Sequence, residues 1–188
     1  MNKVRYGLRS VYVAPLTSTG TYTTPIAIPG AVTLTLDPAG EETIFYADDR
    51  KYFTTAPNNG YTGSLSAAYL PDDLRAKLLG QTVDENGLLV ESADDQPSEF
   101  ALLFEIQGDA AGRRYVFYDC KFSRPSESHN SKTEGITPDT DTLNLTVVPK
   151  DFAGEYYIKS SVENETGTAT VYAAWFTAVK IPDFTPEA

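Results

Sequence analysis

The chain has one cysteine, one histidine, one tryptophan and one methionine in 188 residues. A single cysteine excludes a disulfide framework within the chain, and a single histidine leaves little for histidine chemistry or zinc. No apolar run approaches the ~18 residues of a membrane-spanning helix. The opening residues Met1-Asn2-Lys3-Val4-Arg5-Tyr6-Gly7 lack the apolar stretch of a secretory signal, so an intracellular protein is expected. Cations are scarce: 15 Lys+Arg stand against 26 Asp+Glu, a formal net charge of −11. That balance excludes an adhesive nucleic-acid binder and a polybasic membrane-surface protein, because both need a cationic footprint.

Convergent chemistry is also missing. His129 sits between Ser128 and Asn130, but there is no nucleophile-elbow pattern and no second histidine, so a solvated loop histidine is expected. Cys120 falls between Tyr118 and Phe122 on a strand pattern and reads as a buried, inert thiol. The pairs Asp48-Asp49, Asp72-Asp73 and Asp94-Asp95 invite a calcium reading, yet none lies in an EF-hand-like loop. Asp139-Thr140-Asp141 lacks the Gly and Glu that such a loop needs. Glu99 and Glu105 are too far apart along one strand, ~20 Å, for a glycosidase pair. There is no P-loop and no dinucleotide fingerprint. Neither an enzyme, nor a metal site, nor a cofactor is expected.

What is present is aromatic and apolar: the hydrophobic fraction is 41%, with 12 Tyr and 9 Phe, enough for a packed core. The length favours a single domain over residues 1–188. Charge is uneven. Lys3, Arg5 and Arg9 form a basic start. From Leu78 to Gly112 there is no Lys or Arg but there are eight acids: Asp84, Glu85, Glu91, Asp94, Asp95, Glu99, Glu105 and Asp109. This stretch is either a solvated acidic region or a surface that repels or orients a charged partner.

A period of two dominates. Val32, Leu34 and Leu36 alternate with threonines, as do Phe100, Leu102, Phe104 and Ile106 with their neighbours, and Leu143, Leu145 and Val147 with theirs. These read as half-buried strands with one face on a core. Tyr115–Phe122 is apolar on both faces at its start and reads as a central strand. Strands are also expected over Tyr6–Pro15 and Tyr156–Val162. Asp48-Asp49-Arg50 reads as a hairpin turn between Ile44–Ala47 and Lys51–Thr55, and Gly108–Gly112 as a hairpin loop between Phe100–Gln107 and Arg113–Phe122. A helix is expected over 71–79: Pro71 suits the first position, Asp72 and Asp73 favour the first turn, Leu74 and Leu78 share a face, and Gly80 ends it. A second helix is expected near 169–180 from Val171, Ala174, Trp175, Ala178 and Val179, stopped by Pro182. A strand with Val171, Ala173 and Trp175 inward is the alternative. The whole suggests an antiparallel sandwich or barrel with flanking helices.

Two segments read as non-compact: 37–63, an extended loop or arm with a modest hairpin, and 123–142, a polar loop. Phe45, Tyr46, Tyr52 and Phe53 crowd the first. Such a cluster serves a protein interface, a carbohydrate-stacking face, or ordinary strand packing.

The order of several short motifs resembles the major tail proteins (tail tube proteins) of long-tailed non-contractile bacteriophages. The resemblance rests on Gly7-Leu8-Arg9 and Tyr12, Pro29-Gly30-Ala31-Val32, Phe45-Tyr46-Ala47-Asp48-Asp49 and Gly60-Tyr61-Thr62-Gly63. It continues through Leu70-Pro71-Asp72-Asp73-Leu74, Leu79-Gly80, Asp84-Glu85-Asn86-Gly87, Phe100–Glu105, Tyr118–Phe122, Trp175-Phe176 and Val179. It implies two packed β-sheets with a flanking helix, six copies in a ring, and rings stacked into a tube whose acidic lumen passes DNA at ejection without binding it specifically. It implies partners: further copies of the chain, a tape measure protein, a tail terminator and distal tail proteins. It places the protein in the virion, and in host cytoplasm during assembly. By that resemblance Phe45, Tyr46, Asp48, Tyr52 and Phe53 are the arm's interface residues. Asp84, Glu85, Glu91, Asp94, Asp95, Glu99 and Glu105 are lumen candidates, and Lys3, Arg5 and Arg9 form a candidate basic interface. Lys132 and Thr133 fall where the resemblance suggests a polar strand edge. The alternatives are another tail component of the same fold (terminator, neck or baseplate hub) or a carbohydrate-binding β-sandwich module.

Overall fold

A computed structural model describes residues 6–108, 112–125 and 139–184. Lys3, Arg5, Asp109, Ser128, His129, Asn130, Lys132, Thr133 and most of the polar segment lie outside the described residues. In chain order the elements are β1 (Leu8–Pro15), β2 (Ile26–Ala27), β3 (Ala31–Pro38), β4 (Thr43–Ala47), β5 (Arg50–Thr55), β6 (Tyr61–Ala67), α1 (Asp72–Leu79), β7 (Thr82–Val83), β8 (Leu89–Val90) and β9 (Glu99–Ile106). They continue as β10 (Arg114–Phe122), β11 (Asp141–Val148), β12 (Lys150–Phe152), β13 (Glu155–Tyr157), β14 (Lys159–Val162) and α2 (Ala169–Ala173).

The protein is mainly β. Seven strands run in the order β2-β1-β9-β10-β11-β6-β3, each antiparallel to its neighbours. β10 is the fork. Its first half, Arg114–Phe117, pairs with β14, and its second half, Asp119–Phe122, pairs with β11. A register shift between Phe117 and Cys120 turns the strand at that point, so that Phe117, Cys120 and Phe122 all face one core while Tyr118 faces the other. The sheet curls until β1 and β3 approach without pairing, and no closed barrel forms among the described residues.

One core lies inside the curl. Val11 and Val13 of β1, Phe100, Leu102 and Phe104 of β9, and Leu143, Leu145 and Val147 of β11 meet Leu65 of β6 and the leucines of α1. Burying each such side chain stabilises by ~1.5–3 kcal/mol. α1 docks through Leu74, Leu78 and Leu79. Pro71 precedes its first turn, Asp72 and Asp73 occupy that turn, and Gly80 closes it at φ 78° with its N–H on Ala76 O. A Cβ at Gly80 would lie 2.3 Å from Gln96 O, so both the left-handed conformation and the space demand glycine there.

A second core lies on the opposite face of β1, β9 and β10. Ala14, Ala101, Leu103, Val116, Tyr118 and Val162 are covered by Trp175, with Tyr12, Phe152, Tyr172 and Phe176 packed around them. β9 is therefore buried on both faces rather than half-buried. The alternation in its sequence cannot show this, because the cover comes from residues 163–184 at the far end of the chain.

Two expectations need adjusting. Val32 is exposed rather than inward, because a register shift between Ala31 and Thr33 turns it away from Leu34 and Leu36. The second helix is only five residues long, not the span 169–180. Beyond it the chain tightens: Trp175 N–H bonds Tyr172 O and Thr177 N–H bonds Ala174 O, both at 3.2 Å. That tightening sets Trp175 onto the sheet, where its indole N–H donates to Tyr115 O at 3.2 Å.

Candidate assembly surface

Most of the expected arm is already sheet. β3 runs to Pro38 and β6 starts at Tyr61, and they pair along their lengths. Between them β4 and β5 form a two-stranded ribbon that pairs with no other strand among the described residues. At its root Ala39 N–H bonds Gly60 O and Asn59 N–H bonds Ala39 O. At its tip Asp48 and Asp49 stand at φ 52° and 57°. Two successive left-handed residues make the turn whose twist matches antiparallel strands, and Asp tolerates that conformation. Asp48 is thus a turn residue first.

The ribbon carries four largely exposed aromatics. Phe45, Tyr46, Tyr52 and Phe53 are 58, 60, 68 and 57% exposed. Phe45 faces Phe53 across the ribbon, while Ile44 with Thr54 and Tyr46 with Lys51 lie on the other face, and Tyr52 sits in the bulge. Both faces are therefore apolar in part and open. At ~200 Å² per aromatic side chain, four rings more than half exposed leave on the order of 400–500 Å² of aromatic surface, divided between the two faces of the ribbon.

The acids differ in their settings. Glu105 is 2% exposed. Arg9 donates to its Oε1 from Nε at 3.2 Å and from Nη2, and Arg114 Nε donates to its Oε2 at 3.1 Å. Arg114 also lies 3.8 Å from the centre of the Tyr172 ring and donates to Tyr172 O. Glu105 thus presents no charge to solvent and leaves the set of lumen candidates: α2 and its flanks cover that face of β9. Arg9, a candidate for a basic interface, is engaged with Glu105 inside its own chain.

The others are surface groups. The Asp84 carboxylate accepts from Leu88 N–H at 2.7 Å and Asn86 N–H at 2.9 Å, shaping the turn between β7 and β8. Those bonds, Leu88's foremost, hold it below the usual carboxylate range. Glu85 and Asp94 are exposed. Glu91 accepts from Gln81 at 3.0 Å and pairs with Arg124. Asp95 accepts from Ser92 N–H at 2.7 Å. Glu99 shares Lys150 with Asp119, at 3.5 and 3.3 Å. Burial pushes the Asp119 carboxyl up, against the pull of Lys150.

Sequence reasoning missed two features. One is the Arg9–Glu105–Arg114 cluster, whose members are separated by 96 and 9 positions and meet only through strand pairing. The other is the β7–β8 hairpin, which exposes Val83, Leu88 and Val90. Its signal was present as Asp84-Glu85-Asn86-Gly87, with an Asn-Gly turn between apolar neighbours.

Fold and surface together define an antiparallel β protein whose two cores are covered by its own chain and whose aromatic hairpin is not. The chain belongs to the phage tail tube protein family, whose description matches residues 9–180. No curated protein matches it significantly. The family is structural: its members assemble into the tube of a phage tail, and this chain is a structural component of the virion tail.

Proposed function

We propose that six copies of the chain close into a ring, that rings stack into the tail tube, and that DNA passes through its lumen at ejection. The observation that carries this reading is the β4–β5 ribbon, with four exposed aromatics on a hairpin that its own sheet does not cover. Full burial of its aromatic surface is worth ~10 kcal/mol at about 25 cal/mol per Å², comparable to the ~4–15 kcal/mol that association costs. Charge opposes assembly, since every copy carries −11. Screening over ~8 Å at physiological salt limits that repulsion to neighbouring patches.

The same charge suits a conduit. A basic wall would hold DNA through its phosphates, one charge per ~1.7 Å of axis, whereas an acidic wall keeps it centred and moving. The lumen acids are drawn from Asp84, Glu85, Glu91, Asp94, Asp95 and Glu99. Lys3 and Arg5 face an acidic neighbour in this reading. A tape measure protein, a tail terminator and distal tail proteins cap or fill the tube. End-on class averages from electron micrographs of the polymer test the ring. Sixfold averages are expected, and any other symmetry overturns the hexamer.

A further inference from the structure

If the β4–β5 ribbon is an assembly arm, its partner surface must lie on another copy; on that reading we propose that it docks on the β7–β8 hairpin of a second copy. Each hairpin is a separate two-stranded sheet, and the two differ in chemistry. The arm offers aromatic rings together with Arg50 and Lys51, the only cations between Arg9 and Arg75. Among the described residues neither cation has an ion-pair partner. The β7–β8 hairpin offers exposed aliphatics, Val83, Leu88 and Val90, beside the exposed carboxylate of Glu85. Ring against aliphatic, cation against acid, is the complementarity that fixes register between partners.

The receiving hairpin is also preorganised. Asp84 clamps its turn through Leu88 and Asn86, Asp84 N–H bonds Leu88 O at 3.0 Å, and Gly87 takes φ 85°. A surface already ordered loses little freedom on docking. The contact joins two different patches of one molecule, so it is heterologous. Such a contact propagates into rings or open filaments rather than stopping at a dimer, as a tube requires.

The test uses two variants that each add one cysteine, Tyr52→Cys and Leu88→Cys, mixed, polymerised and oxidised. The native Cys120 is fully buried and does not compete. Covalent dimers on a non-reducing gel from the mixture, but from neither variant alone, are expected. Polymer formed without such dimers overturns the receiving surface while leaving the arm in place. Failure of the unmodified chain to polymerise overturns the assembly reading instead. A charge exchange decides the matter if the cysteine variants assemble poorly. Arg50→Glu with Lys51→Glu should raise the critical concentration for polymerisation ~10-fold or more, and adding Glu85→Lys to the same chain should recover most of that loss. No recovery contradicts the proposal.

Discussion

Glu105 shows how far a single residue's meaning depends on its surroundings. In the sequence it is one of eight acids in a stretch without a base; in the fold it is buried between Arg9 and Arg114. Removing one member of a buried ionic group leaves the others uncompensated, which costs ~3–5 kcal/mol. Arg9 is half-exposed and its share is screened, so most of the penalty falls on Arg114. Glu105→Ala is expected to lower unfolding stability by ~2–4 kcal/mol in urea titration. Glu85→Ala, at an exposed turn position, should change it by less than ~0.5 kcal/mol. A second residue-scale prediction concerns alkaline pH. Burial pushes the Cys120 thiol and the Tyr22 and Tyr118 phenols above their ordinary values of 9.0 and 10.0. These groups hold their protons in the folded state at pH values where the unfolded chain has released them. The folded state then binds more protons, so stability falls as pH rises past about 9, by up to ~1.4 kcal/mol per pH unit for each proton retained. Denaturant titrations at pH 8, 9 and 10 should show the decline, and a flat profile would contradict the burial argument. The same titrations in Cys120→Ser or Tyr22→Phe backgrounds would assign it.

At the scale of elements, much was legible. Alternation marks β9 and β11, the Gly-rich loop separates β9 from β10, and Pro71 with Gly80 brackets α1 because each residue meets a specific backbone demand. The four aromatics were legible as a cluster, but not as exposed surface: a strand pattern does not say whether another layer lies over it. β9 makes the complementary point, for its second face is covered by Tyr172, Trp175 and Phe176, from the far end of the chain. The bulges at Val32 and after Phe117 were also illegible, since a single extra residue inverts a face without altering composition. The hairpin yields the prediction proper to this scale. β4 and β5 bond to each other and to no other strand among the described residues, so their removal leaves both cores intact. Deleting residues 41–58 is expected to leave a chain with native circular dichroism and cooperative melting that no longer polymerises. Normal tubes from the deletion, in negative stain, would exclude the hairpin as the arm.

For the whole molecule, the balance is between apolar surface and like charge. A copy carrying −11 must bring its neighbours within contact distance against their mutual repulsion, which only salt and local pairing relieve. The folded monomer has already buried Phe100, Phe122, Tyr118 and Trp175, so what remains to drive association is the surface it leaves uncovered. Its largest cluster is the four aromatics of the β4–β5 ribbon, with further exposed apolar side chains on the β7–β8 hairpin and at Tyr6, Tyr69, Tyr156, Ile181 and Phe184. On the proposed assembly, membership in the phage tail tube protein family gives this surface its use. The most direct measurement is negative-stain microscopy of the purified full chain across a concentration series, at low and at near-physiological salt. Tubes of uniform diameter above a critical concentration that falls as salt rises are predicted. A strictly monomeric species at every concentration and salt, with no tubes even from an initiator complex, would contradict the account.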